Sequence, residues 1–399
     1  MSTQRQLFYR HVGQTSLSPL GLEIEKAEGI YLWDTSGKRY IDLISGVSVS
    51  NVGHRNPKVI QAIHTQLEKY MHLMVYGEYI QAPQVQLAKA ITDLLPQSLN
   101  SVYFVNSGSE AVEGTLKLAK RHTGRPNIVS FTDAYHGSTH GALSIMGSET
   151  FRYAFRPLMP GVTQIRFNNE EDLRFIDNQT ACVILDPLHS EAGIKDEENN
   201  YYTKLRKRCD DTGTLLVFDE VQAGFGRTGS MFYFEQIVCP DILVMAKAMG
   251  GGMPIGAFVA SHEIMNSFTN NPPLGHITTF GGHPVCCASA LASLEVILDG
   301  KLHLSATEKG NRLVAGLSSH PQMKKIRQKG LFLACDLKDT ETYDRLLKIC
   351  LENGLIIDSF LFKSNSFRIA PPLTVTDSQI DEIIELFTHC LDRLDLKMC

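Results

Sequence analysis

The sequence predicts an α/β protein whose large lobe is built on a mostly parallel sheet, with a smaller α+β lobe beside it. Between residues 100 and 260, short runs rich in β-branched residues alternate with helical patterns. These runs are continuously apolar, which is typical of strands that helices cover on both faces. After residue 285 the alternation gives way to longer helical patterns. We therefore expect an N-terminal segment over 1–45 that joins the small lobe, a large lobe over 46–285 and the small lobe over 286–399.

The elements of the first two regions follow from turn residues and apolar spacing. Two short apolar runs flank Asp34-Thr35-Ser36-Gly37, and this cluster of turn-forming residues predicts a β-hairpin. Apolar residues at helical spacing predict a helix from Pro57 to about Tyr70. The strands of the large sheet are predicted from apolar runs, namely VYFV (102–105), NIVSF (127–131), CVIL (182–185), LLVF (215–218) and ILVM (242–245).

Past residue 285 the patterns predict two helices and a strand. The run ASALASLEVILDG predicts a helix that ends at Gly300, and LFLACDL predicts a strand. Residues 376–397 are amphipathic and open with the capping box Thr376-x-x-Gln379, which predicts a second helix. We find no internal repeat and no low-complexity linker.

Composition excludes several classes of protein. The chain has 399 residues, 43% of them hydrophobic and 20% charged, as expected of a globular protein with a large core. Its net charge of −5 gives no basic face for nucleic acid. No signal peptide and no apolar run of membrane-spanning length is present, so no membrane partner is expected. The nine cysteines form no C-x-x-C pair, which favours a reducing, cytoplasmic setting, and we predict no metal site.

The first of several candidate binding motifs is Asn106-Ser107-Gly108-Ser109, which joins a predicted strand to a helix. In an open α/β sheet, ligands bind at the carboxyl ends of the strands. Small residues at a helix N-terminus offer free N–H groups and the positive end of the helix dipole, which suits a phosphate. The same residues also suit an ordinary strand-to-helix turn with Ser109 as the N-cap.

Further motifs at predicted strand ends offer an aromatic ring, hydroxyls and a carboxylate. Tyr135 and His136 follow the run NIVSF, and an aromatic side chain there can stack on a planar ring or simply pack. Residues 276–282 carry two threonine hydroxyls that can bind a phosphate. Asp219 ends an all-apolar strand, where its carboxylate needs a cationic or N–H partner. That partner can be a protonated pyridine nitrogen or a structural salt bridge.

Lys247 lies between an apolar run and three consecutive glycines, Gly250-Gly251-Gly252. Desolvation at a strand end lowers the pKa of a lysine and makes its amine a nucleophile. The glycines allow a flat ligand to approach the backbone closely. The alternative is a surface lysine beside a glycine-rich turn. A phosphate cradle, a stacking aromatic, a buried aspartate and a strand-end lysine together fit pyridoxal phosphate.

The motifs DEVQAGFGRTG (219–229) and AKAMGGGMPIGA (246–257) resemble those of class III pyridoxal-phosphate aminotransferases. That group includes ornithine, acetylornithine and 4-aminobutyrate aminotransferases, and the resemblance extends from about Gly29 to Leu373. It implies pyridoxal-phosphate transferase fold type I with a seven-stranded type of sheet in the large lobe. It also implies pyridoxal 5′-phosphate as the cofactor and a homodimer with active sites at the interface.

The resemblance also implies roles for the matching residues around the cofactor ring. Lys247 matches the Schiff-base lysine that also moves the proton, and Asp219 matches the aspartate on the pyridine nitrogen. Val221 and Gln222 match residues that lie against the ring and near its phenolic oxygen.

Other matching residues are implied to hold the phosphate and the ring face. Ser107-Gly108-Ser109 matches the phosphate-binding turn, and Tyr135, next to His136, matches the stacking aromatic. Thr279 matches a threonine that reaches the phosphate from the other subunit.

Two matching residues bear on the substrates. Arg368, in FRIAPPL, matches an arginine that binds an α-carboxylate such as that of 2-oxoglutarate. Glu191 matches a glutamate that pairs with this arginine when a terminal amine reacts. A guanidinium neutralised by Glu191 cannot capture the donor's carboxylate, and once freed it grips the acceptor's carboxylate with two hydrogen bonds.

The sequence departs from the family pattern at substrate-binding positions. The family often has an arginine for a donor carboxylate where this chain has Ser138, and ornithine-type enzymes have a tyrosine where this chain has Val47. The usual Glu-Pro-x-x-Gly-Glu motif is replaced by residues 186–191, Asp-Pro-Leu-His-Ser-Glu. These changes leave the cofactor-binding residues in place and leave the donor's identity open.

We therefore predict a transaminase that moves an amino group, a terminal one on an amino acid, to 2-oxoglutarate. The alternatives are an enzyme specific for acetylornithine or 4-aminobutyrate, and an enzyme of the same fold with another reaction, such as a racemase, mutase or decarboxylase. A non-catalytic scaffold is a third alternative, which an intact Lys247 and Asp219 disfavour.

Overall fold

A seven-stranded sheet lies at the centre of the large lobe. In the computed structural model, which describes residues 3–75 and 77–394, its strands follow the order Ser101–Val105, Gly256–Ala260, Ile242–Met245, Leu215–Asp219, Thr180–Leu185, Asn127–Phe131 and Val162–Ile165. Gly256–Ala260 is antiparallel to both of its neighbours, whereas the pairs from Ile242–Met245 onward are parallel. The predicted α/β fold with a mostly parallel sheet is confirmed, and every strand predicted from an apolar run is present.

Two strands of this sheet were not predicted. Val162–Ile165 is an edge strand with an exposed threonine, so it lacks the continuous apolar run that marks a buried strand. Gly256–Ala260 is fully buried, but glycine and alanine have low strand propensity, and a glycine-rich turn precedes it. Its pairing with Ser101–Val105 and Ile242–Met245 decides its conformation.

Successive residues of a strand point to opposite faces of the sheet, so a continuously apolar strand has apolar side chains on both faces. Helices cover both of these faces. In Leu215–Asp219, for example, Leu216 and Phe218 belong to one hydrophobic core and Val217 to the other. Gly108–Thr123 packs on the side of Val217. The opposite core is covered by Pro57–Leu67, Ala82–Thr92, Tyr201–Thr212 and Pro284–Asp299.

Two four-stranded sheets form the rest of the fold. One has the order Ile24–Glu28, Tyr31–Asp34, Arg39–Asp42 and Leu355–Ile356, so the N-terminal hairpin pairs with a strand from near the other end of the chain. The predicted hairpin around Asp34 is thereby confirmed. The other sheet has the order Lys325–Lys329, Phe332–Asp336, Lys363–Ile369 and Ser359–Phe360.

Three helices, Leu302–Leu317, Thr340–Glu352 and Asp377–Asp392, build the core of the small lobe against these sheets. Thr376 and Gln379 form the predicted capping box at the start of the last helix. The helix Pro284–Asp299 crosses the predicted boundary at residue 285 and packs in the core of the large lobe. The division at residues 45 and 285 stays a prediction.

The remaining α-helices are short. They are Gln4–His11, Ser45–Ser48, His140–Ile145, Glu149–Arg152 and His262–Met265. Within residues 3–75 and 77–394, no helix is long and apolar enough to cross a membrane.

Candidate active site

A cavity of about 410 Å³ opens at the carboxyl ends of the parallel strands of the large sheet. Two of its walls come directly from strand ends. Asp219 is the last residue of the strand Leu215–Asp219, and Lys247 lies two residues after the end of the strand Ile242–Met245. Loops that follow the other strands complete the walls, which consist of Val49, Asn106, Ser107, Gly108, Ser109, Tyr135, His136, Gly137, Asp186, Glu191, Asp219, Val221, Gln222, Ala246, Lys247, Gly252, Met253, Pro254 and Ile255. The topology therefore brings most of the predicted site residues to one place, where ligands of such sheets bind.

Lys247 presents its amine to this cavity from a strained backbone. Its φ of 49° lies in the left-handed region, where non-glycine residues rarely occur and where strain is typical of functional sites. The Nζ atom donates to Oε1 of Gln222 at 3.3 Å. Burial lowers the pKa of Lys247, and the nearby carboxylate of Glu191 opposes that shift. The neutral, nucleophilic form of the amine is therefore more populated in Lys247 than in a lysine exposed to water.

Asp219 is a buried carboxylate with one hydrogen bond to each oxygen. Its Oδ2 lies 2.7 Å from Nδ1 of His136, which donates because an ionised carboxylate can only accept. Its Oδ1 accepts the N–H of Val221 at 3.1 Å. The side chain is held in one orientation at the cavity wall, which is what a residue that binds a ring nitrogen requires.

The phosphate-binding motif lies at the N-terminus of the helix Gly108–Thr123. Ser107 is the N-cap, since its side chain accepts the N–H of Glu110 at 3.2 Å. The alternative with Ser109 as N-cap was therefore wrong, and the Ser109 hydroxyl instead accepts the N–H of Ser138 at 3.3 Å. A Cβ atom at Gly108 would lie 3.1 Å from the methyl groups of Val221, so glycine allows the helix end to approach this wall.

Two further walls come from Tyr135 and Asp186. The ring of Tyr135 lies at the cavity, and its hydroxyl is 3.2 Å from that of Ser138. Asp186 accepts the N–H groups of Leu188 and Ser190 at 3.0 and 2.7 Å, which folds the segment that carries Glu191 toward the cavity. Burial, with a contribution from Asp219, raises the pKa of Asp186 to about 6.

Arg368 lies behind Glu191 and does not itself line the cavity. Its guanidinium is 1% exposed and donates from Nη2 to Oε1 of Glu191 at 2.8 Å. The second oxygen of Glu191 accepts the N–H of Leu361 at 3.1 Å. The arginine is thus held in its neutralised state by a carboxylate that stands between it and the cavity.

Besides Arg368, three predicted residues lie away from the cavity of their own chain. Val47 has left-handed backbone with a φ of 62°, and Val49, two residues later, occupies the wall instead. Ser138 is exposed beside Tyr135, and Thr279 is exposed in the loop before Pro284. Strand periodicity could not predict the conformation of the segment around Val47, because the four successive residues 45–48 have positive φ.

Sequence reasoning also missed Asp358, whose carboxylate lies 3.7 Å from Nη1 of Arg368. Asp358 follows the buried strand Leu355–Ile356 by two residues. An acidic residue just past an apolar run is the signal that identified Asp219, so the same rule applied to the small lobe would have found it.

The cavity residues fit pyridoxal phosphate. A helix N-terminus suits its phosphate, the carboxylate of Asp219 suits its ring nitrogen, and the amine of Lys247 suits its aldehyde. The Nε2 atom of Gln222 is buried and has no hydrogen-bond partner among the described residues, which leaves one donor free at the cavity wall for a bound acceptor. A volume of about 410 Å³ is in the range of small-molecule sites.

Comparisons with known proteins agree with this fit. The profile of the family described as aminotransferase class-III matches residues 12–391. The chain is 37% identical over 368 residues to an acetylornithine aminotransferase from Archaeoglobus fulgidus. The aligned region covers 92% of this chain and 94% of that protein. Among solved structures, a transaminase from the marine bacterium Virgibacillus superposes with a TM-score of 0.91 at 26% identity and 98% coverage of both chains. An ornithine aminotransferase from Toxoplasma gondii, described with partial occupancy of pyridoxal phosphate at its active site, superposes with a TM-score of 0.89 at 25% identity, over 98% of this chain and 95% of that one.

Proposed function

Because this chain belongs to the class III aminotransferases and uses pyridoxal phosphate, we propose that it transfers a terminal amino group of an amino acid to 2-oxoglutarate. The observation that carries this proposal is the buried pair between Arg368 and Glu191. An aminotransferase must bind two substrates in turn at one site. A terminal-amine donor carries no carboxylate beside its reacting amine, whereas 2-oxoglutarate carries one beside its reacting ketone.

The residues of the cavity divide the chemistry between them. Pyridoxal phosphate, when bound, supplies an electron-withdrawing ring that takes up the electron pair left when a carbon beside nitrogen loses its proton. Lys247 accepts that proton at Nζ, and burial favours the neutral amine by lowering the pKa of this lysine. Asp219 holds a proton on the ring nitrogen, and His136 fixes the orientation of this carboxylate.

The Arg368–Glu191 pair suits alternate binding of the two substrates. While Glu191 holds Nη2 of Arg368, the guanidinium cannot bind a donor carboxylate, and the cavity accepts a terminal amine. When the acceptor enters, its α-carboxylate displaces Glu191 and accepts two parallel hydrogen bonds from the guanidinium. Glu191 can turn away because, among the described residues, the only other hydrogen bond of its carboxylate is with one backbone N–H, that of Leu361.

The variant Arg368→Lys tests the acceptor half of this proposal. A lysine cannot present two parallel N–H groups, so the KM for 2-oxoglutarate should rise by roughly tenfold or more, equivalent to about 1.4 kcal/mol. The donor half should suffer less, because Glu191 already occupies the arginine in that half. The rate of each half-reaction is measured separately, with the absorbance of the bound cofactor as the signal. Equal losses in both halves would make Arg368 a structural residue.

The matched variant Glu191→Gln tests the donor half. An uncharged side chain neutralises Arg368 less well, so α-amino acids such as glutamate should compete better as donors, by roughly tenfold in kcat/KM. The 2-oxoglutarate half-reaction should not slow, and its KM should fall, because the acceptor no longer has to displace an ionised carboxylate from Arg368. Unchanged donor preference would show that Glu191 does not control access to the arginine.

We also propose that the enzyme works as a homodimer with Thr279 serving the partner's site. Thr279 is exposed and lies outside the cavity of its own chain. Large apolar side chains are exposed around it, with Leu274 54%, Ile277 48% and Phe280 55% exposed. The Phe280 ring lies 5.0 Å from that of His72, so this patch continues onto a second segment with exposed Met71 and Ile80. Contiguous apolar patches of this kind mark protein interfaces.

Thr279→Ala should weaken retention of pyridoxal phosphate by roughly tenfold while the protein remains a dimer. Sedimentation of the variant, with cofactor content measured after dialysis, checks both parts. Thr269→Ala is a suitable control, because that hydroxyl donates to Asn266 O in an exposed turn at 2.8 Å. A fully active monomer of the wild-type protein would contradict the assignment.

A further inference from the structure

Arg368 faces a second carboxylate besides Glu191. Oδ2 of Asp358 lies 3.7 Å from Nη1 of Arg368, near enough for an ion pair and too far for a hydrogen bond. The Arg368 N–H donates to the carbonyl of Asp358 at 2.9 Å, so the two residues stay next to each other in the backbone. Asp358 lies in the short link between Leu355–Ile356 and Ser359–Phe360.

The contacts of Arg368 leave the side that faces Asp358 open. Nη2 is taken by Glu191, while Nη1 and Nε have no hydrogen-bond partner among the described residues. The ring of Phe360 covers the guanidinium with its centroid 4.8 Å away. Oδ1 of Asp358 is also buried without a hydrogen-bond partner in the described part of the chain. Both groups therefore have unused hydrogen-bonding capacity directed at the same small region.

Two carboxylates lie beside the one guanidinium. Glu191 is hydrogen-bonded to it at 2.8 Å, and Asp358 stands 3.7 Å from its Nη1. No arginine occupies the donor-side position, since that residue is Ser138. A substrate carboxylate that displaces Glu191 must still approach next to Asp358, and like charges at that distance repel.

We propose that Asp358 is a specificity-determining residue that competes with substrate carboxylates for Arg368 and so biases the enzyme toward amines remote from a carboxylate. This inference rests on the proposed role of Arg368 in binding the acceptor. When Glu191 turns away, Asp358 closes on Nη1 and shields the arginine from α-amino acids. At 3.7 Å the two groups lie within ion-pair range and outside hydrogen-bond range, so a small movement of either side chain would let them bond.

The test is Asp358→Asn, an isosteric change that removes the charge. The KM for 2-oxoglutarate should fall by about fivefold and glutamate should improve as a donor by a similar factor. The rate of the terminal-amine half-reaction should stay near that of the wild-type enzyme. Asp358→Glu keeps the charge and should keep the wild-type KM. Asp358→Ser serves as a second uncharged variant should the asparagine variant fold poorly.

A pH profile gives a readout that a structural role would not produce. Burial raises the pKa of Asp358 to about 6, so its carboxylate gains charge as pH rises through that value. In the wild-type enzyme the KM for 2-oxoglutarate should therefore rise above about pH 6, and in Asp358→Asn that rise should disappear. The titratable and charged groups that face Asp358 are Arg368, Glu191, Asp42, Lys247 and Tyr343. All of these remain in both proteins, so the difference between the two profiles isolates Asp358.

Arg368→Lys separates this proposal from the one on which it rests. If Arg368→Lys raises the KM for 2-oxoglutarate while Asp358→Asn changes neither KM nor donor preference, Asp358 has no role in specificity and the function of Arg368 stands. If neither variant changes that KM, both proposals are overturned. A lower KM in Asp358→Asn, together with a wild-type value in Asp358→Glu, supports the competition with Arg368.

Discussion

Replacing Lys247 with alanine should reduce turnover by at least about 10³-fold, because the same amine binds the cofactor and moves the substrate's proton. The fold should survive the change. Lys247 is desolvated, makes one hydrogen bond at 3.3 Å to Gln222, and has strained backbone with a φ of 49°. Its side chain therefore contributes little to stability. Turnover of the loaded enzyme and the melting temperature of the cofactor-free protein are the two measurements.

Lys247→Arg is the matched control, since it keeps a cation at this position and loses the nucleophilic amine. It should be nearly as inactive as the alanine variant. Near-normal turnover in either variant would make Lys247 an ordinary buried lysine. A large drop in melting temperature with proportionate loss of activity would assign it a structural role.

Replacing Asp219 with asparagine should slow proton abstraction by about 10²-fold or more, the size expected when a preorganised charge is removed from a buried site. Asparagine keeps the shape and can still accept the N–H of Val221, which Asp219 accepts at 3.1 Å. Cofactor affinity should therefore fall much less than the rate. The measurement is the donor half-reaction under single-turnover conditions, compared with the dissociation constant of the cofactor.

The neighbouring Glu220 offers a control for this variant. Glu220 is also fully buried, but it accepts the N–H groups of Tyr233 and Phe234 at 2.6 and 2.7 Å, away from the cavity. Burial raises its pKa to about 8, and the two N–H donors oppose that shift. Glu220→Gln should leave the half-reaction near its wild-type rate. Equal effects of the two substitutions would mean that Asp219 acts only through the packing of this segment.

Residues at the ends of buried parallel strands were the ones that sequence reasoning predicted best. A continuous apolar run fixes where a strand ends, so Asp219 and Lys247 could be assigned to one edge of the sheet before any contact was known. The turn at Ser107-Gly108-Ser109 was found for the same reason. These positions depend on local sequence and on one topological rule.

Features that depend on contacts between distant segments could not be predicted in this way. Val49 replaces Val47 at the cavity because successive residues there have positive φ, which no periodicity reveals. Gly256–Ala260 is a strand because two other strands pair with it. The family match implied the pairing of Arg368 with Glu191, but the place of Arg368 behind Glu191, outside the cavity lining, results from packing between distant segments.

The central claim of the proposed function is that the donor's reacting amine is remote from its carboxylate. A pair of isomers tests this claim most directly. 4-Aminobutyrate and 2-aminobutyrate have the same atoms and differ only in where the amine stands. The wild-type enzyme should react with the terminal amine at least about tenfold faster in kcat/KM, with glutamate formed from 2-oxoglutarate in equal amount. Equal or faster reaction of 2-aminobutyrate would contradict the account, because Arg368 would then be free to bind a donor carboxylate.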